Sequence, residues 1–171
     1  MRTADRWRWR YAVRCLPAVA LLSAALGTPA RADQWSVEKA GFNLYRIAGQ
    51  NIFIRTEDCD DAPDKGVVNV QKEGSARRLS FSGSSTSCAV RDFLAPVEIE
   101  WNQYQILMTR DQTNNWYRVS DSDLYLKTVG CLSRATSESA VLDLKCDGTG
   151  WVHFGDGRRC GVERVFRRFN P

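Results

Sequence analysis

The side chains with the most chemistry in this chain are its cysteines. Cys59, Cys88, Cys131, Cys146 and Cys160 all lie in residues 33–171. Cysteine serves as metal ligand, nucleophile or half of a disulfide, and spacing helps to separate these roles. Cys59 and Cys88 are 29 residues apart, and so are Cys131 and Cys160. The second pair is the first displaced by 72 residues. Equal intervals predict equal closed loops, Cys59–Cys88 and Cys131–Cys160, with Cys146 outside the scheme. A loop of this size contributes about 3–4 kcal/mol in the chain-entropy picture. Cys146 ends the apolar stretch 141–145. It reads first as a buried, inert thiol. The alternatives are an intermolecular bond that makes a dimer, or a rearranged pairing with Cys131 or Cys160.

His153 is the only histidine. One histidine cannot build a histidine-rich metal site. It could serve as a general base, with Cys146 or a serine as nucleophile. No G-x-S-x-G surrounds any serine, and His153 alternates with Val152 and Phe154. That alternation predicts an exposed strand position, so no catalytic residue is assigned. The acidic run 57–64, Glu57-Asp58-Cys59-Asp60-Asp61-Ala62-Pro63-Asp64, invites comparison with calcium loops. Ala62 falls where an oxygen ligand belongs, and Pro63 replaces the glycine that an EF-hand loop needs. The reading is a solvated loop, with no metal and no cofactor. A third set lies near the C-terminus: Trp151, His153, Arg158, Arg159, Arg164, Arg167 and Arg168. Mixtures of aromatic and arginine side chains stack on sugars and grip polyanions. They also enrich protein interfaces, so this set is the candidate binding surface.

These residues are carried on a duplicated framework. Residues 43–59 read NLYRIAGQNIFIRTEDC, and 115–131 read NWYRVSDSDLYLKTVGC. Tyr, Arg, Thr and Cys recur at matching offsets. That recurrence marks Tyr45, Arg46, Thr56, Tyr117, Arg118 and Thr128 as scaffold before it marks them as sites. Repeats of this kind govern the fold and are best recognised first. Short runs rich in branched and aromatic residues, 44–47, 52–56, 116–119 and 124–128, read as strands. The segment 66–70 parallels 140–144, and 97–101 and 105–108 alternate as strands do. Residues 133–140 are the one place where a helical turn is expected. Turn residues recur every 8–12 positions, the spacing of a sandwich or barrel. The predicted fold is all-β: two tandem units, 33–104 and 105–171, forming a small sandwich or barrel with one disulfide per unit. The short join allows one compact domain.

The first 32 residues read as a signal peptide. Arginines precede the apolar run 15–27, and Ala30-Arg31-Ala32 is a cleavage site. The run is too short to span a membrane as a helix, and no second apolar span follows. The whole chain is +4, with 24 basic and 20 acidic residues. Residues 1–32 carry six of the basic and one of the acidic, so 33–171 holds 18 and 19, net −1. The basic character belongs to the leader, which removes the electrostatic case for nucleic acid. By unit, 33–104 has 8 basic and 11 acidic residues and 105–171 has 10 and 8, a mild polarity. It suits either attraction between the units or a basic docking patch. The combined expectation is an exported, disulfide-stapled binding protein that engages a protein or cell-envelope component. Two other classes remain open: a carbohydrate- or peptidoglycan-binding module using Trp35, Trp101, Trp116 and Trp151, and a hydrolase-type enzyme using His153.

Overall fold

The computed structural model describes residues 34–59, 61–111, 115–131 and 134–171. Twelve strands account for the regular structure. The first six are β1 (Gln34–Gly41), β2 (Leu44–Ile47), β3 (Phe53–Glu57), β4 (Lys65–Glu73), β5 (Ala76–Phe81) and β6 (Ser87–Pro96). The second six are β7 (Asn102–Arg110), β8 (Trp116–Val119), β9 (Leu124–Val129), β10 (Glu138–Leu144), β11 (Gly150–Phe154) and β12 (Arg159–Phe169). Pairing in the first half runs β1-β2-β3-β6-β5-β4 and returns to β1. Pairing in the second runs β7-β8-β9-β12-β11-β10 and returns to β7. Each half is therefore a closed, antiparallel, six-stranded barrel, and the two share one strand order. Closure leaves every strand with a neighbour on both sides, which removes the exposed edges that invite aggregation.

Both expected disulfides are present, Cys59–Cys88 and Cys131–Cys160. Each ties the segment after the third strand of its barrel to the last strand. The tight turns repeat as well. Asn43 and Asn115 both take positive φ, at 50° and 66°. Asparagine tolerates this region better than most side chains. Their carbonyls accept from the Thr56 and Thr128 amides at 2.9 and 2.7 Å, closing the hairpins identically. Gly49 and Asp121, and Asp58 and Gly130, are further positive-φ pairs at the 72-residue offset.

Three expectations need correction. Residues 97–101 form no ladder: β6 ends at Pro96, which has no amide to donate, and Val97 makes an isolated bond to the Val165 carbonyl at 3.1 Å. The helical turn expected at 133–140 is absent from the described part, because Glu138–Leu144 is strand β10, held by β7 and β11. The proposed parallel of 66–70 with 140–144 is two residues out. Val37 pairs with both Ile47 and Gly66, while Met108 pairs with Val119 and Glu138. So Gly66 corresponds to Glu138 at the unbroken offset, and Val68 to Ala140. The slips fall elsewhere: β1 to β7 is offset by 71, and β5 to β11 by 73, since Leu79 faces Cys88 and Val152 faces Cys160.

The barrels join through β6 and β12, where Pro96, Ala95 and Leu94 face Phe166, Arg167 and Arg168. Residue 95 plus 72 is 167, so Ala95 faces its own repeat counterpart. A local two-fold relation passes through that pair, as in an isologous dimer interface. The buried cluster over the join obeys the same relation. Leu44 and Trp116, Phe53 and Tyr125, and Leu94 and Phe166 are counterparts, and all six are buried together. Phe53, Trp116 and Phe166 pack with centroids 4.9–5.3 Å apart. Trp116 is thus a joint residue and not an exposed sugar platform.

Tyr45 and Tyr117 lie wholly inside their barrels. Burial raises the phenol pKa of both, and also those of Tyr104 and Tyr125. These are all the tyrosines after residue 32. The folded state therefore holds its phenol protons more tightly than the unfolded chain, whose tyrosines titrate near pH 10. The associated stability is complete below about pH 10 and is lost as pH rises through the raised folded values. An alkaline titration of residues 33–171 followed at the phenolate band should show no tyrosine ionising at its ordinary pH. Phenolate from the buried Tyr45, Tyr117 and Tyr125 should appear together with loss of the near-ultraviolet dichroism. A separate phase near pH 10 with the fold intact would contradict this.

Candidate functional site

Because the barrels share a topology, corresponding core positions compare one to one. In the first, Val68 and Phe93 are buried in the interior and the partly buried Trp35 packs on them, edge-on to Phe93 at 5.8 Å. Their counterparts in the second are Ala140, Val165 and Ile106, each smaller. Val37 to Met108 and Val70 to Leu142 run the other way. A cleft of about 940 Å³ opens along the β7–β10 wall of the second barrel. Its apolar lining includes Ile99, Tyr104, Ile106, Leu124, Ala140 and Leu142. Glu98, Glu100, Ser120, Asp121, Ser122, His153 and Arg167 supply its polar groups. This volume and this lining, mostly apolar with a few polar groups, are those of a ligand site.

Local sequence explains the polar and apolar sides. Val97 and Ile99 alternate with Glu98 and Glu100 along the connector. The first two lean on the second core, and the carboxylates stay exposed. Tyr104 donates its hydroxyl hydrogen to the Glu100 carbonyl at 2.9 Å, holding the connector beside the cleft. Ser122 and Asp121 belong to the β8–β9 turn. The Ser122 hydroxyl donates to the Val119 carbonyl and accepts from the Leu124 amide.

A second, polar concavity of about 380 Å³ shares Ser120 and Asp121 with the cleft. Arg55, Arg91, Arg110 and Arg118 line it, together with Asp111. Its floor is a buried ion network. The Arg55 guanidinium donates to Asp92 at 3.1 Å, to the Tyr125 hydroxyl at 2.8 Å and to Asp111 at 2.5 Å. Arg55 and Asp92 come from the first barrel, and Tyr125 and Asp111 from the second. This network fastens the barrels electrostatically, as the aromatic cluster does by packing. Arg168 adds a contact to Asp92 at 3.7 Å.

No family model, curated protein or solved structure matches this chain.

The residues singled out from sequence do not converge. Trp151 and His153 are exposed on β11, and the Arg159 guanidinium lies 5.2 Å from the Trp151 ring centroid. Arg158 is bound by Asp156 and Glu138. The hydrogen bonds from its Nε and backbone amide lower the Asp156 pKa, and Asp156 in turn raises that of Arg158. Arg159 and Arg167 stand eight residues apart on one strand, about 26 Å. Arg167 pairs with Asp123 at 3.4 Å, and Arg164 is partly buried farther along β12. Of the set, His153 and Arg167 reach the cleft.

His153 makes no side-chain hydrogen bond among the described residues. Cys146 is exposed in the β10–β11 turn, so the expectation of a buried thiol is corrected: the strand ends at Leu144 before reaching it. In the acidic run, Asp64 pairs with Lys39 and Glu57 with Arg91. No group of three or more His, Cys, Asp or Glu gathers as a metal site among the described residues. Among them, too, no helix is long and apolar enough to cross a membrane.

Reading the sequence alone missed Ile106, Ala140, Glu98, Glu100 and Asp121. The signal was present: once β1 and β7 are aligned at 71, Trp35 opposes Ile106 and the lost volume is visible. Arg55 was missed because its counterpart is Lys127, an ordinary conservative difference between strings.

Proposed function

We propose that this is an exported binding protein that holds a partner without transforming it, and that the cleft of the second barrel is where the partner docks. The observation that carries the reading is the asymmetry of a duplicated design. One barrel is packed by Trp35, Val68 and Phe93, and its twin carries smaller residues beside a cleft of about 940 Å³. Two disulfides support export to an oxidising compartment, the periplasm or beyond, where such bonds persist. A partner in the protein or cell-envelope class suits a site of this length.

The test uses residues 33–171 and the uncharged fluorophore N-phenyl-1-naphthylamine. Wild-type protein should raise its fluorescence saturably, with one site per chain. The double variant Ile106→Trp, Ala140→Val rebuilds the packing of the first barrel and should weaken binding by about tenfold or more, the effect of losing the apolar contact. A linear, non-saturating response from the wild type, or equal affinity in the variant, would sink the reading.

A further inference from the structure

The cleft has an apolar floor, and the connector side of its rim is acidic. Glu98 and Glu100 are exposed there and form no ion pair with any described residue. Asp121 also borders the concavity of Arg55, Arg91, Arg110 and Arg118 and is left out of this count. Arg167, the arginine of the cleft lining, is engaged by Asp123 at 3.4 Å. The connector side of the opening therefore carries uncompensated negative charge over an apolar surface. A ligand that matches both features has an apolar body and at least one cationic group.

Two further observations define what carries such a group. The lining runs along β10 from Ser139 to Leu144. Those five residue steps span about 17 Å, the reach of roughly five residues of extended chain and more than one side chain fills. In addition, all twelve strands of the described residues are paired on both sides, so none of them offers an open edge for main-chain addition. Recognition has to come through side chains seated in the cleft and charges met at its rim.

We infer that the occupant is an extended segment of a partner protein, with apolar residues in the cleft and flanking lysine or arginine side chains against Glu98 and Glu100. This rests on the binding reading above and gives that site its specificity. Opposite charge at a rim raises the association rate and rejects acidic segments more than it adds bulk affinity. The preference should therefore fade with salt.

The experiment measures fluorescence anisotropy with three labelled synthetic peptides. One has Leu-Phe-Leu between two lysines, the second has the same core between two glutamates, and the third has a Ser-Gly-Ser core between two lysines. The first should bind about tenfold more tightly than the second at low salt, the sum expected of a few exposed charge pairs. The third should not bind measurably. The variant Glu98→Gln, Glu100→Gln should bring the first two peptides to near-equal affinity, and the Ile106→Trp, Ala140→Val variant should weaken both.

Equal binding of the first two peptides by wild type, or an unchanged preference in the Glu98→Gln, Glu100→Gln variant, overturns the charge assignment while the cleft reading stands. Saturable binding of dodecylamine with no binding of any peptide also overturns it, in favour of a small amphiphile. Failure of the wild type to bind the uncharged probe at all would overturn the cleft reading itself.

Discussion

Replacing Arg55 by leucine is expected to destabilise the protein by about 3–5 kcal/mol, the effect of leaving buried charges uncompensated. In melting temperature this is on the order of 10–20 °C. Arg55 is the cation of a buried network in which Asp92 and Asp111 are also nearly inaccessible. Removing it takes from two buried carboxylates the cation they share, leaving Asp92 only the longer ion contacts to Arg168 and Arg91, and the loss should exceed that of an ordinary exposed arginine such as Arg46, a surface ion-pair partner of Glu38 worth at most about 1 kcal/mol. The origin of the loss can be isolated. In the triple variant Arg55→Leu, Asp92→Leu, Asp111→Leu no charge remains at the centre, and apolar replacement of a whole buried ion set is often neutral. Urea unfolding should recover at least half the lost stability in the triple variant. A single variant as stable as wild type would show that water reaches the network and screens it.

Removing the second disulfide should cost about 3–4 kcal/mol, since it closes a loop of 29 residues. The suitable variant is Cys131→Ala, Cys160→Ala. Both positions are buried, so alanine avoids placing a serine hydroxyl in the core. The equivalent change in the first barrel, Cys59→Ala and Cys88→Ala, closes a loop of equal length and should cost a similar amount. The two differ in where the loss appears. Hydrogen exchange should quicken chiefly around the β9–β12 pairing in one variant and the β3–β6 pairing in the other. A loss below about 1 kcal/mol in either would mean that the reduced chain already holds the two segments together.

The disulfide scheme was legible from sequence because loop length survives duplication. The positions of Cys59, Cys88, Cys131 and Cys160 are set by equal chain lengths between equal strands, so the interval in one unit predicts the interval in the other. The hairpin strands were legible from the branched and aromatic residues of 44–47, 52–56, 116–119 and 124–128. The connector 97–101 was misread because alternation describes which side chains face the core, and a chain crossing a barrel end alternates as a paired strand does. Only ladder bonds separate the two cases. The helical turn at 133–140 was misread because serine and alanine there carry weak local preference, which pairing of β10 with β7 and β11 overrides.

The candidate site was far less legible. The arginines and aromatics near the C-terminus are close in sequence, but a strand of eleven residues places them at opposite ends. The cleft draws on the connector, all six strands of the second barrel and two turns, so its residues are scattered in sequence and unremarkable singly. Ile106 and Ala140 matter only because Trp35 and Val68 stand in their places in the other barrel.

By itself, then, the sequence determined the duplication, the all-β class and the two disulfides. All of these follow from local periodicity or from lengths along the chain. Tertiary structure alone decided that each half closes into a barrel and that the halves meet about Ala95 and Arg167. It also decided that Arg55 is buried between two carboxylates, and that the second barrel has a cleft where the first is filled. Those outcomes depend on which side chains from distant strands share one small volume, and volume shared in space has no fixed spacing in sequence.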